Sequence, residues 1–400
     1  MIGRRPTAKR AVKTIYLDNN ATTPLAAEVV EVLTTALKEE FGNPSSLHRL
    51  GQQAAFRVEQ ARQQVAAAIG ARPREILFTS GGTESINLAI RGTLARPGAA
   101  RRLIVSAVEH EAVLRVAEEA EADGVQVVRV GVDRLGRLDL AELEEALREP
   151  TALVSIMWAN NETGVLFPVA DVVRMASERH VPVHLDAVQV MGKLPVNVEE
   201  LGVAMLSLSA HKFHGPKGVG ALYVRRGTHL RPQIVGGHQE RNLRAGTHNV
   251  PGILGLGVAA ELAAEAAKTY ATRVAPLRDR LEAGLLGMLP GAAANGDRNN
   301  RLPNTTSVGF PALEAESILL LLSEHGICCS AGAACQSGSL EASHVLKAMN
   351  VDPKLAHGSV RFSLSRTTTA EDIDEALRRI PPLIRRLAEM NRVVIAGTRP

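Results

Sequence analysis

Seven short runs rich in Val, Ile and Leu recur along the first part of the chain, over 75–79, 102–108, 125–130, 152–158, 181–186, 203–209 and 219–224. Most are near-continuously apolar rather than alternating, which suits strands covered on both faces of a sheet. Helical patterns over 84–93, 111–123 and 169–179 separate several of them. That alternation predicts an α/β fold with a mostly parallel seven-stranded sheet. Gly42 and Gly70 follow two amphipathic stretches and read as helix stops.

Around 264–275 the strand pattern gives way to a long helical run. Helical patterns follow at 315–324 and 370–390, with short strands at 306–310 and 359–364. The expected layout is a large domain over 15–262 and a smaller α+β domain over 263–400, after a basic head over 1–14. No uninterrupted apolar stretch is long enough to cross a bilayer, because the longest, from Gly252, soon meets Glu261 and Glu265.

Composition adds constraints. The 400 residues are 45% hydrophobic and 22% charged, enough for two cores. Arg4, Arg5, Lys9, Arg10 and Lys13 put five cations and no acid into the head; the whole chain has a net charge of +4, so the rest carries −1. That balance gives no support to a nucleic-acid role. The head lacks an apolar core, so it is no secretory signal. The three cysteines, Cys328, Cys329 and Cys335, form neither a disulfide framework nor a C-x-x-C metal motif, and an odd count fits a reducing cytoplasm.

Ligands of open α/β sheets sit beyond the carboxyl ends of strands. After 76–78 comes Thr79-Ser80-Gly81-Gly82-Thr83 and then a helix; small residues there let backbone N–H groups approach a phosphate. An N-cap and turn would use the same residues. After 103–108 comes His110, and after 153–158 come Asn160, Asn161 and Glu162, which also read as an ordinary turn. After 181–185 comes Asp186, with Gln189 three residues on; a carboxylate there needs a cation or donors, or caps a helix. After 205–208 come Ser209, His211 and Lys212. A lysine that condenses with an aldehyde must shed its proton near neutral pH, and desolvation in a crevice favours that. Each item is ambiguous alone. Together a phosphate cradle, a histidine, an amide pair, a buried acid and an amine suit pyridoxal 5′-phosphate.

The motifs also carry a resemblance. "YLDNNATTP" (16–24), "NPSSLHRLG" (43–51), "FTSGGTES" (78–85), "EHEAV" (109–113), "NNETG" (160–164), "DAVQVMGK" (186–193), "SAHKFHGPKGVGALYV" (209–224), "GGHQERNLRAGTHNV" (236–250), "CQSGSLEASHVL" (335–346) and "VRFSLSRTTT" (360–369) occur in this order. The chain resembles the cysteine desulfurases of the nitrogen-fixation type, fold-type I pyridoxal-phosphate enzymes of aminotransferase class V. The resemblance implies that Lys212 bonds the cofactor and moves protons, that His110 stacks on its ring, that Asp186 pairs with the ring nitrogen and that Gln189 lies near the ring oxygen. It implies that Gly82, Thr83, Ser209 and His211 hold the phosphate, that Asn161 touches cofactor or substrate, and that Thr247 reaches the phosphate of a partner subunit in a homodimer. His214 receives no role beyond shaping its turn. Cys335 would attack the sulfur of L-cysteine, giving L-alanine and a persulfide, and pass the sulfur to an acceptor or iron–sulfur scaffold protein. Alternation puts Arg361 and Ser363 on the face opposite Val360, Phe362 and Leu364, and the resemblance makes Arg361 the grip for the substrate carboxylate. Relatives often have Ser where Ala333 stands and Asn where Ile86 stands. A selenocysteine lyase or an aminotransferase on the same fold is the alternative. No metal site, nucleic acid or membrane is expected.

Overall fold

The computed structural model of the chain describes residues 13–332 and 342–397. In chain order the strands are β1 (Ile15–Tyr16), β2 (Ile76–Thr79), β3 (Arg102–Ser106), β4 (Gln126–Val130), β5 (Leu153–Met157), β6 (Val183–Asp186), β7 (Met205–Ser209), β8 (Gly220–Val224), β9 (Ala293–Asn295), β10 (Thr305–Gly309), β11 (Ile327–Cys328), β12 (Ser330–Ala331) and β13 (Ser359–Ser363). All seven strands expected for the large sheet are present, in the order β2-β8-β7-β6-β5-β3-β4. Only β8 runs against its neighbours. The other six are parallel. The carboxyl ends of β2, β3, β5, β6 and β7 therefore share one edge.

The apolar runs follow from burial on both faces. Along β3, Ile104 enters one core cluster while Leu103 and Val105 enter another on the opposite face. The first four α-helices in chain order are α1 (Ala27–Glu39), α2 (Arg49–Ala68), α3 (Gly82–Leu94) and α4 (Glu111–Ala122). Ile86, Leu88 and Ile90 of α3, with Val113, Val116 and Ala117 of α4, cover one face. Val58 and Val65 of α2 help to cover the other. Gly70 sits at φ +68° just past α2, as a helix stop requires. Gly42 differs: its φ is not positive, and a Cβ there would collide with the Leu50 carbonyl, so it allows close backbone approach.

Four further helices are α5 (Leu140–Ala146), α6 (Val169–Glu178), α7 (Val198–Leu201) and α8 (Val250–Met288). By length and composition α8 could cross a membrane, yet 61% of its most apolar window is buried inside the protein. Ile253, Leu256, Ala260 and Ala263 belong to the large core; Tyr270, Val274, Leu281 and Leu285 belong to a second core. The second core lies against an antiparallel sheet of order β12-β13-β10-β9. The chain then adds α9 (Ala315–Glu324), α10 (His344–Ala348), α11 (Pro353–Ala356) and α12 (Ala370–Gly397). The two cores do not follow a single cut in the chain. Ile15 and Leu17 sit in the second core because β1 pairs in parallel with β11, while Val345, Leu346 and Met349 pack into the first.

Candidate active site

A cavity of about 480 Å³ opens at the carboxyl edge of the large sheet. Gly82, Thr83, His110, Asn161, Asp186, Gln189, Ser209, His211 and Lys212 all line it. Strand ends thus gather nine residues scattered over 131 positions of sequence, as the strand-end argument requires.

The amine comes first. Lys212 closes a short 3₁₀ turn after β7 and donates from Nζ to the carbonyls of Asn20, at 2.6 Å, and Ala21, at 2.9 Å. His211 beside it is brought down to about 4 by burial and by the charges of Lys212 and Lys217, so its ring is neutral at pH 7. His214 has φ +68°; its N–H donates to Thr23 Oγ1 at 2.7 Å and its Nδ1 lies 2.9 Å from the Pro24 carbonyl. It ties this turn to the 20–24 segment.

Asp186 ends β6 and is 8% exposed. Its Oδ1 accepts from Val188 N–H at 2.9 Å. Burial raises its pKa, opposed by that N–H and by His110 and Lys212. His110 caps α4, its Nδ1 accepting from Ala112 N–H at 3.1 Å, which leaves the proton of the neutral ring on Nε2. Burial holds His110 below its ordinary value against the pull of Asp186. Beneath them Glu109 is wholly buried and pushed up to about 8 by burial, despite donors from Ser106 and the Met157 N–H.

At the other end of the cavity α3 begins at Gly82, with Gly81 at φ +153°. A Cβ on Gly81 would stand 3.7 Å from Ser209 Oγ, in the hollow before the helix N-terminus. Glu84 also lines the cavity, but its carboxylate is paired with Arg244 at 2.8 Å and with the Ser80 N–H at 2.8 Å, which offsets its charge toward an anion there. A helix N-terminus, two glycines and a hydroxyl fit a phosphate. A buried carboxylate bound by one backbone N–H fits a cationic ring nitrogen. The residues present therefore suit pyridoxal phosphate.

Of the Asn160–Asn161 pair, Asn160 builds the turn, its Oδ1 accepting from the N–H groups of Glu162 and Thr163 at 2.9 Å each. Asn161 alone faces the cavity. Arg361 is not on the cavity wall. It is 3% exposed behind Asn161, donating from Nη1 to the Asn161 carbonyl at 3.0 Å and from Nη2 to Asp18 at 2.8 Å, with Nε buried and unpartnered. Its alternation is as expected: Val360, Phe362 and Leu364 point into the second core. Thr247 is exposed and does not line the cavity of its own chain. Cys335 lies outside the described residues. On either side of that segment, Ser343 Oγ donates to Glu162 Oε2 at 2.5 Å, and a Cβ on Gly332 would collide with the same carboxylate.

Sequence reasoning did not single out Asn20, Lys193 or Asp18. Lys193 is 4% exposed, its Nζ 2.9 Å from Gln189 Oε1 and 3.3 Å from Asn20 Oδ1. Burial, then Lys212 and Arg361, drive its pKa far down. The signal was the polar Asp18-Asn19-Asn20 directly after an apolar strand. Among the described residues no group of three or more His, Cys, Asp or Glu is placed to hold a metal ion.

The aminotransferase class-V family model matches residues 15–376. Cysteine desulfurase 2 of Trichormus variabilis is 52% identical over 373 residues, covering 93% of this chain and 94% of that protein. Cysteine desulfurase NifS of Azotobacter vinelandii is 49% identical, covering 94% of each. Among solved structures, a NifS-like protein superposes with a TM-score of 0.88 at 42% identity, over 94% of this chain and 100% of the other. DndA from Streptomyces lividans superposes at 0.73 and 37% identity, over 86% and 97%. With this cavity and these relatives, the chain belongs to the class-V aminotransferase family of pyridoxal-phosphate enzymes and, within it, to the cysteine desulfurases.

Proposed function

We propose that this protein removes sulfur from L-cysteine, releasing L-alanine and leaving a persulfide on Cys335. The observation that carries the reading is the joint placement of Lys212, Asp186 and His110 on one cavity, in a chain about half identical to cysteine desulfurases. Bound pyridoxal phosphate supplies a ring that accepts electrons released at the substrate Cα. The protein's own groups do the rest. Asp186 would hold the ring nitrogen, His110 would pack against the ring, and Ser209, His211, Gly82 and Thr83 would take the phosphate. Lys212 Nζ would anchor the cofactor and, once released, would carry the Cα proton. Arg361, held by the Asn161 carbonyl and Asp18 behind the cavity wall, takes the substrate carboxylate with its remaining N–H donors, Nε among them, once Asn161 shifts to uncover it.

Cys335 supplies the nucleophile as a thiolate. Its Sγ bonds the substrate sulfur as the substrate Cβ–S bond breaks. The electron pair of that bond stays with Cβ, which takes a proton and becomes the methyl group of alanine. The outer sulfur then passes to a nucleophilic thiol on an acceptor or iron–sulfur scaffold protein.

The working unit in this proposal is a homodimer. Thr247 is exposed on its own chain, and Leu37, Phe41, Leu47, Phe56 and Val235 expose large apolar side chains. Both features suit a partner copy that covers the apolar residues and receives Thr247 at its phosphate.

The test is incubation with L-cysteine and a dithiol, measuring alanine, sulfide and the mass of the Cys335 peptide. Equal alanine and sulfide is the expected result with the dithiol present, and a gain of one sulfur on Cys335 when the dithiol is left out. Cys335→Ala keeps the cofactor and loses sulfide release; normal turnover in that variant overturns the nucleophile, and a keto-acid product overturns the reaction class.

A further inference from the structure

The carbonyl that takes Lys212 Nζ at 2.6 Å belongs to Asn20, which is 1% exposed and does not line the cavity. The same carbonyl accepts from Gln189 Nε2 at 3.0 Å. Every other polar atom of Asn20 is engaged as well. Its N–H donates to Ser363 Oγ at 2.9 Å. Its Nδ2 donates to Thr305 Oγ1 at 2.9 Å and to the Asn161 carbonyl at 3.1 Å. Its Oδ1 accepts from Asn304 Nδ2 at 3.0 Å and Lys193 Nζ at 3.3 Å. Thr305 and Ser363 lie on β10 and β13 of the second sheet, and Asn304 directly precedes β10. Lys212, Gln189, Lys193 and Asn161 follow strands of the large sheet. One buried side chain thus joins the two sheets at the point where the reacting amine is held.

We propose that Asn20 is a positioning residue for the Lys212 amine, through which the second sheet fixes where that amine sits. The inference rests on Lys212 being the amine that bonds pyridoxal phosphate. A fully satisfied buried network of this kind rigidifies its members, and loss of one member leaves the others to reorganise. Removing the side chain frees Lys193, Asn304, Thr305 and the Asn161 carbonyl from their common partner and leaves the carbonyl of residue 20 without lateral support. The amine then spends less time where an aldehyde can meet it. The phosphate cradle, built by Gly82, Thr83, Ser209 and His211, does not touch Asn20.

The two parts separate by experiment. Apo-protein is mixed with pyridoxal phosphate, and covalent capture at Lys212 is followed by borohydride trapping and peptide mass; in that step Nζ adds to the aldehyde carbon and one water leaves. Affinity for pyridoxamine 5′-phosphate, which has the ring and phosphate but no aldehyde, is measured in parallel. Asn20→Ala is expected to slow capture roughly tenfold while changing pyridoxamine phosphate affinity by less than about twofold, a change within a single weak contact. Capture at the wild-type rate, or an equal loss in both assays, overturns the proposal. Thr305→Val, which removes one support of Asn20, is expected to slow capture about threefold with affinity retained. Should Asn20→Ala not fold, a wild-type capture rate in Thr305→Val overturns the proposal by itself. No capture by the wild-type protein would overturn the reading of Lys212, and this inference with it.

Discussion

Glu240 has φ +44°, and Arg241 and Asn242 follow at +56° and +63°. Three consecutive non-glycine residues in the left-handed region cost roughly 1–2 kcal/mol each. Side-chain contacts hold them there. Glu240 receives Arg62 on both oxygens, at 2.8 and 2.7 Å, His248 Nε2 at 2.7 Å and the Phe78 N–H at 2.9 Å. Burial alone would raise the Glu240 pKa, but His248, Arg62 and that N–H bring it to about 2. A carboxylate depressed from 4.5 to about 2 stabilises the fold above its unfolded value, and the contribution disappears as pH falls from 4.5 through 2. The size is on the order of 3 kcal/mol. Melting temperature against pH is expected to fall less steeply between 4.5 and 2 in Glu240→Gln than in the wild type, from a lower value at pH 7. A parallel acid limb in the two proteins would show that Glu240 does not titrate with folding. None of this was legible in "GGHQERNLRAGTHNV", because left-handed φ values at Glu and Arg run against their local preference, and distant Arg62 and Phe78 join His248 in holding them. Asn20 was hidden for the same kind of reason, its partners lying up to 343 residues away. Lys212, His110 and Asp186 were legible because each follows a strand that could be recognised by itself.

Strands and helices were the most readable scale. Most of the seven runs were near-continuous because the sheet is buried on both faces there, the edge strand β4 being the exception, and the helix expected over 315–324 is α9 to the residue. What sequence could not convey is how closely elements approach. β8 lies between β2 and β7, and its first residue, Gly220, shows the consequence. A Cβ there would stand 2.5 Å from the Leu208 carbonyl and 2.7 Å from Gly81 Cα, both backbone atoms that cannot swing aside. Gly220→Ala must therefore displace Gly81, at the mouth of the phosphate cradle, or open the β7–β8 ladder. The expected cost is about 1–3 kcal/mol of stability, with at least a tenfold weaker pyridoxamine phosphate affinity by titration. An unchanged affinity would mean that the cradle tolerates the shift.

At the scale of the whole molecule, α8 joins two cores, and a buried charge cluster fixes its second half. Glu282 is fully buried and receives Arg301 Nη2 at 3.0 Å and Thr306 Oγ1 at 2.6 Å. Glu282→Ala would leave Arg301 buried without its carboxylate, for a loss of about 3–5 kcal/mol in denaturant unfolding. A loss below about 1 kcal/mol would mean that water or Asp279 replaces the carboxylate. For assembly, Phe41→Asp puts a charge on a side chain 80% exposed within the apolar set. Sedimentation is expected to show a dimer for the wild type and a larger monomer fraction for the variant; a monomeric wild type would remove the dimer. The parallel sheet was foreseeable, but the home of residues 15–17 was not, since a short apolar strand does not reveal which core it will enter. Its pairing has a consequence for synthesis. β1 needs Ile327, and the Asn20 N–H needs Ser363, so the opening segment leaves the ribosome long before its partners exist. At ordinary elongation speeds the interval is roughly 20–70 s. Throughout that time the cavity-lining strands can form while the clamp from the second sheet onto Asn20 is missing, so the amine gains that support only after residue 363 has emerged.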